Sequence, residues 1–163
     1  MTKYDSALDK YRIHGWNGEL YICNAGKQLI NCIGTNDACV TVDVFKNISG
    51  LHDINSALLY VVDFREMSYR CIGSGFNEFK NTYSCLQQMK DCPGDPMTCD
   101  EIVPYIKCSE DMAYKLCGGE GRDFVCNTLD IQAKAWLNCD PLPTCSKNQT
   151  QSLLFKKFLH NKF

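Results

Sequence analysis

No run in this chain approaches the roughly 18 consecutive apolar residues that a membrane span needs. Basic charge is not in excess either. Seventeen Lys and Arg stand against 19 Asp and Glu, a formal net charge of -2, whereas phosphate binding needs a dense basic face, so no nucleic-acid partner is expected. Histidine is scarce: His14, His52 and His160 are the only three, which leaves little of the usual base for proton transfer near neutral pH. No internal repeat, low-complexity tract or Pro/Gly-rich linker divides the 163 residues, and at 45% hydrophobic and 22% charged they fit one globular domain.

Cysteine is what the chain has in quantity. There are twelve, an even number at nearly the density of a disulfide scaffold. They sit at Cys23, Cys32, Cys39, Cys71, Cys85, Cys92, Cys99, Cys108, Cys117, Cys126, Cys139 and Cys145, so no Cys-x-x-Cys occurs. Zinc sites take thiolates in close pairs because one tight turn must aim two ligands at one ion, so no structural metal is expected. The same absence removes thioredoxin-type exchange and c-type haem attachment, and no cofactor is expected. Six structural disulfides in an oxidising, extracellular compartment are the expectation. Cys85 and Cys92 lie seven residues apart on one predicted helix, about 10 Å along its axis and beyond the roughly 7 Å reach of a disulfide, so each should bond a different neighbour. Cys117 with Cys126 and Cys139 with Cys145 are allowed local pairs, and the full connectivity stays open.

The opening residues, MTKYDSALDKYRIHG, lack the basic, apolar and small-residue pattern of a secretory leader, so the chain is read as a mature form, with Met1 an added start or the leader outside the sequence. Asn47-Ile48-Ser49 and Asn148-Gln149-Thr150 are sequons and make Asn47 and Asn148 glycosylation candidates.

Hydrophobic periodicity predicts an all-α fold of about five to six helices in residues 1–150, followed by a tail over 151–163. In FNEFKNTYSCLQQMKDC, Phe76, Phe79, Tyr83 and Leu86 share a stripe, with Ser74 before it and Pro93 after. HDINSALLYVVDFREMSYRC places Ile54, Leu58, Val61 and Val62 on one face, then Phe64, Met67 and Cys71, and stops at Gly73. DFVCNTLDIQAKAWLNC carries Val125, Leu129, Ala133 and Trp136 and stops at Asp140-Pro141. Shorter helices are predicted over Ser6 to Ile13, over Glu19 to Ile33, and from a Ser109 cap to the Gly118-Gly119 stop. Val40, Val42 and Val44 alternate with Thr41 and Asp43 like a strand, but one strand makes no sheet.

The layout FNEFKNTYSCLQQMKDC, with further cysteines at seven- to nine-residue steps through Cys126, resembles the cysteine-rich helical domains of secreted invertebrate proteins. Two groups are similar: the nematode secreted domain of unknown function that also occurs near eggshell chondroitin proteoglycans, and the con-ikot-ikot type of large venom protein from cone snails. The chain has no adjacent Cys-Cys pair, unlike the snail proteins. The resemblance implies a secreted, helical, disulfide-bonded interaction protein.

Signs of catalysis are thin. His52-Asp53 invites comparison with the helical His and neighbouring Asp of secreted phospholipase A2, but it has neither the flanking cysteines nor a preceding Gly-rich calcium loop. Asp53 is expected instead to favour the positive end of a helix dipole. The carboxylates around Arg122 (Glu120, Asp123), Asp100-Glu101 and Glu110-Asp111 each read as helix-start acids. Gly118, Gly119 and Gly121 lack the Gly-Lys-Ser/Thr of a phosphate loop. The tail SLLFKKFLHNKF sets Leu154, Phe155, Phe158 and Leu159 opposite Lys156 and Lys157, a cationic amphipathic segment suited to packing on the domain, to partner contact or to peripheral contact with an anionic membrane. The expected function is a secreted, non-enzymatic protein presenting a rigid helical surface to a receptor or other extracellular partner, a toxin or effector being one version. A carrier of a small apolar, lipid-like ligand is the alternative, and a secreted enzyme using His52 and Asp53 comes third.

Overall fold

A computed structural model describes residues 3–48, 54–142 and 145. Among the described residues there are six α-helices, one 3-10 turn and no strand. The chain falls into two compact units, Met1–Tyr83 and Ser84–Phe163.

The first unit holds α1 (Lys3–Arg12), α2 (Trp16–Ile33), a 3-10 turn (Gly34–Cys39), α3 (Val42–Ile48), α4 (Ile54–Cys71) and most of α5 (Gly75–Leu86). The Val42–Val44 alternation is thus the first turn of α3. In α2 the buried residues Gly18, Glu19, Ile22, Cys23 and Gly26 recur every three to four positions and form one face. That face packs on α4, whose Val61, Val62, Phe64 and Met67 are buried and each stabilise the fold by roughly 1.5 to 3 kcal/mol. Ile54, predicted on the same face, is 57% exposed, because it stands in the first turn of α4. The Cys23–Cys71 bridge, with Cα atoms 5.0 Å apart, ties α2 to α4. Beside it a Cβ on Gly26 would collide with the Met67 side chain, so glycine lets the two helices approach. At the N-terminal end of α2, Trp16 meets Phe76, Phe79 and Tyr83 of α5 at ring separations of 6.2, 5.4 and 5.4 Å. The predicted stripe is therefore an aromatic cluster, with Phe79 buried and Phe76 and Tyr83 half-buried.

In α5 the helix ends at Leu86, not at Cys92. Residues 87–91 offer only Met89 as an apolar side chain, and the chain leaves the helix in a turn closed by Gln88 N–H to Cys85 O and Met89 N–H to Leu86 O.

The second unit is built on α6 (Cys99–Leu137). Its start precedes the predicted Ser109 cap by ten residues. Thr98 is the cap: its hydroxyl accepts from the Glu101 N–H, and the Glu101 carboxylate accepts from the Met97 N–H at 2.9 Å, a close variant of the capping box. Ser109 is instead buried within the helix. A straight 39-residue helix would be about 58 Å long. Here Cys99 and Cys139 are bridged with their Cα atoms 5.5 Å apart, because the helix breaks at Gly118, where φ is 69° and ψ is -159°. The predicted glycine stop is real, but it reverses α6 without any intervening loop. Ile102 and Ile106 from before the break share a core with Cys126 and Ala133 from after it, joined by Cys139 and Cys145. Trp136, expected in that core, is 38% exposed.

Candidate functional site

Ten cysteines form five bridges: Cys23–Cys71, Cys85–Cys117, Cys92–Cys108, Cys99–Cys139 and Cys126–Cys145. Cys85 and Cys92 do reach different partners, although α5 no longer contains both. Neither allowed local pair forms: Cys117 bonds Cys85, and the turn at Gly118 brings Cys99 to Cys139. The expected sixth bridge is not made. Cys32, in the last turn of α2, and Cys39, ending the 3-10 turn, are exposed free thiols, set apart from the buried face that carries Cys23 to Cys71.

His52, Asp53, Asn148 and the tail residues Leu154, Phe155, Lys156, Lys157, Phe158 and Leu159 lie outside the described residues. Asn47 is exposed in the last turn of α3. His14 is exposed in the α1–α2 connection. Asp100 and Glu101 occupy the first turn of α6, as expected. Glu110 and Asp111 instead stand mid-helix, where Asp111 pairs with Lys107 at 3.2 Å. Asp123 takes Arg122 at 2.8 Å just after the Gly118 break. Among the described residues no group of three or more His, Cys, Asp or Glu could hold a metal ion, and no helix is long and apolar enough to cross a membrane.

Two buried carboxylates shape the first unit. Glu78 accepts a 2.9 Å hydrogen bond from the Tyr69 hydroxyl. Glu19, 5% exposed, faces the Arg12 guanidinium at 4.0 Å, and its Oε2 has no hydrogen-bond partner. Burial, and then the Glu19 charge, hold the Tyr83 phenol above its ordinary pKa, against the pull of Arg12.

The surface feature that combines shape with chemistry is a groove between α1 and α2. Its volume is about 420 Å³, and its lining is mostly apolar, from Leu8 and Tyr11 of α1, Tyr21, Ala25 and Leu29 of α2 and Met67 of α4, with the polar Asn24 and Gln28 among it. Helical spacing on α2 sets Tyr21, Ala25 and Leu29 along one side. Tyr11 and Tyr21 lie 6.0 Å apart and are 47% and 64% exposed, Leu29 is 47% exposed, and Ile13 nearby is 80% exposed. A larger, more open depression of about 730 Å³ over His14, Asn17, Leu20 and Asn24 shares the Tyr21 wall. Sequence reasoning missed this groove. Its signal was present as Tyr21 and Leu29 at i and i+8 within the helix predicted over Glu19 to Ile33, but nothing in the sequence distinguishes an exposed apolar face from a covered one.

Compared with family models, with curated proteins and with solved structures, the chain matches none.

Proposed function

We propose that this chain is a secreted, non-enzymatic binding protein whose α1–α2 groove receives an amphipathic helix of an extracellular partner protein. The observation that carries the reading is the groove itself, an open apolar channel with two tyrosines and a leucine on its rim. Exposed aromatic side chains of this kind are what interface anchors use. The groove follows α2 from Tyr21 to Leu29, about 12 Å, which matches two turns of a bound helix presenting apolar residues at i, i+4 and i+7. An enclosing carrier would bury most of its ligand's surface, and walls this exposed favour a protein partner. Five disulfides support an oxidising, extracellular setting, with a glycan on exposed Asn47 in keeping with it. The resemblance in cysteine spacing to secreted invertebrate helical domains points the same way.

A displayed library of amphipathic helical peptides, panned against the oxidised protein, tests this. Selected peptides should lose tenfold or more in affinity to Tyr21→Asp and to Leu29→Asp, since burying each side chain is worth about 1.5 to 3 kcal/mol, and should bind Trp136→Asp unchanged. Peptides indifferent to both groove variants, or saturable uptake of a fluorescent fatty acid in place of any peptide, would sink the proposal.

A further inference from the structure

Five bridges place the chain in an oxidising setting, yet two thiols are exposed and free within eight residues of sequence. Six of the ten bridged cysteines are sealed, Cys23, Cys71, Cys126 and Cys139 at 1 to 2% exposed and Cys92 and Cys145 at 4% and 3%, while Cys85, Cys108 and Cys117 are half-buried and Cys99 is exposed. Cys32 and Cys39 are set apart because they are both exposed and unbonded, and so open to small-molecule thiols and disulfides from solvent. Their backbone is not a continuous helix, which would hold positions seven apart about 10 Å along the axis. The chain breaks at Gly34, with φ at 57° and ψ at -126°, and again departs from helical geometry at Asn36. Both breaks lie between the two cysteines, and neither cysteine is packed into the core.

We infer that Cys32 and Cys39 form an exchangeable redox pair, distinct from the five structural bridges, which closes on reaction with a small-molecule disulfide such as oxidised glutathione. One thiolate attacks the glutathione S–S bond, forming a mixed disulfide and expelling one glutathione thiolate. The second cysteine attacks the protein-side sulfur, forms Cys32–Cys39 and expels the other. The protein gives up two electrons and two protons, and one oxidised glutathione becomes two reduced ones. Closure ties the last turn of α2 to the end of the 3-10 turn, at the Leu29 end of the groove helix. The chemistry requires nothing in the groove.

Cleavage after Lys27 and Lys46 releases residues 28–46 with both cysteines on one peptide, so mass spectrometry reads the pair directly. In the intact full chain with five bridges, oxidised glutathione should convert this peptide from a doubly alkylated form to one about 2 Da lighter than the dithiol, in a monomer. Reduced glutathione should reopen it while the other five bridges stay closed. In Cys32→Ser, closure is blocked, and Cys39 should keep a glutathione about 305 Da in mass. Four results would each overturn the inference. They are a peptide cross-linked to a second copy, a lasting glutathione adduct on the unmodified chain, two thiols that remain alkylatable in excess oxidised glutathione, and a bridge that yields to reductant only together with the other five.

Discussion

Gly118 and Gly119 are neighbours of the same residue type, and the fold predicts that they respond to the same substitution with opposite sign. Gly118 has φ at 69° and ψ at -159°, a region open essentially to glycine alone and costing an L-residue about 1 to 3 kcal/mol. A Cβ at either position meets nothing within 4 Å, so no packing clash contaminates the comparison. Gly119 resumes the helix, where exchanging glycine for alanine should stabilise by roughly 0.5 to 1 kcal/mol. Gly118→Ala and Gly119→Ala should therefore differ by about 1.5 to 4 kcal/mol. D-alanine at position 118, introduced by peptide ligation, should be at least neutral, because this backbone is the mirror image of ordinary extended L-structure and is therefore open to a D-residue. The assay is guanidinium unfolding of the oxidised protein in a Trp16→Phe background, with Trp136, itself on α6, as the remaining tryptophan and the slope required to stay constant. Equal stability of the two alanine variants would refute the assignment of the α6 reversal to Gly118.

Replacing both Cys23 and Cys71 by alanine frees a loop with a sequence separation of 48 and should cost about 4 kcal/mol by the loop-entropy relation, measured by guanidinium unfolding read through Trp16 in a Trp136→Phe background. Gly26→Ala should destabilise by about 1 to 3 kcal/mol through overpacking against Met67, and Gly26→Ala combined with Met67→Ala should cost less than the two single changes added together. Thr98→Ala should cost about 1 kcal/mol in the same denaturation assay, as the loss of the α6 cap. The Tyr83 phenol should ionise above its ordinary value and Glu19→Gln should bring it down, as read by phenolate absorbance against Tyr83→Phe after Cys32 and Cys39 are alkylated. Because its folded pKa lies above its unfolded one near 10, the neutral phenol favours the fold below about pH 10, and that contribution fades as pH rises through the folded value.

The helical class was legible because amphipathic periodicity is a local signal. The α4 pattern ran to Gly73 and the structure ends it at Cys71, and the separate partners of Cys85 and Cys92 followed from chain geometry, even though the helix assumed to hold them is shorter. Where the local signal was weak, the reading slipped. Pro104 sits inside α6 and interrupts the usual helix pattern, which obscured the Thr98-x-x-Glu101 start. Ser109 has the chemistry of a cap, but it lies on the buried face with Ile102, Ile106 and Ala113.

The sequence by itself determined the all-α class, the cysteine richness and the shortage of catalytic groups, since composition and spacing along the chain need no knowledge of what packs on what. Which cysteines meet, and that Cys32 and Cys39 stand apart, was decided only in three dimensions. A disulfide depends on two Cα atoms lying within a few ångströms, and that distance is set by the reversal at Gly118 and the close approach of α2 and α4 at Gly26, not by position in the sequence. The groove was decided at the same level. Tyr11, Tyr21 and Leu29 are apolar in any reading, but only the packing of α1, α2 and α4 leaves them uncovered, and it is the uncovered surface that is free to bind.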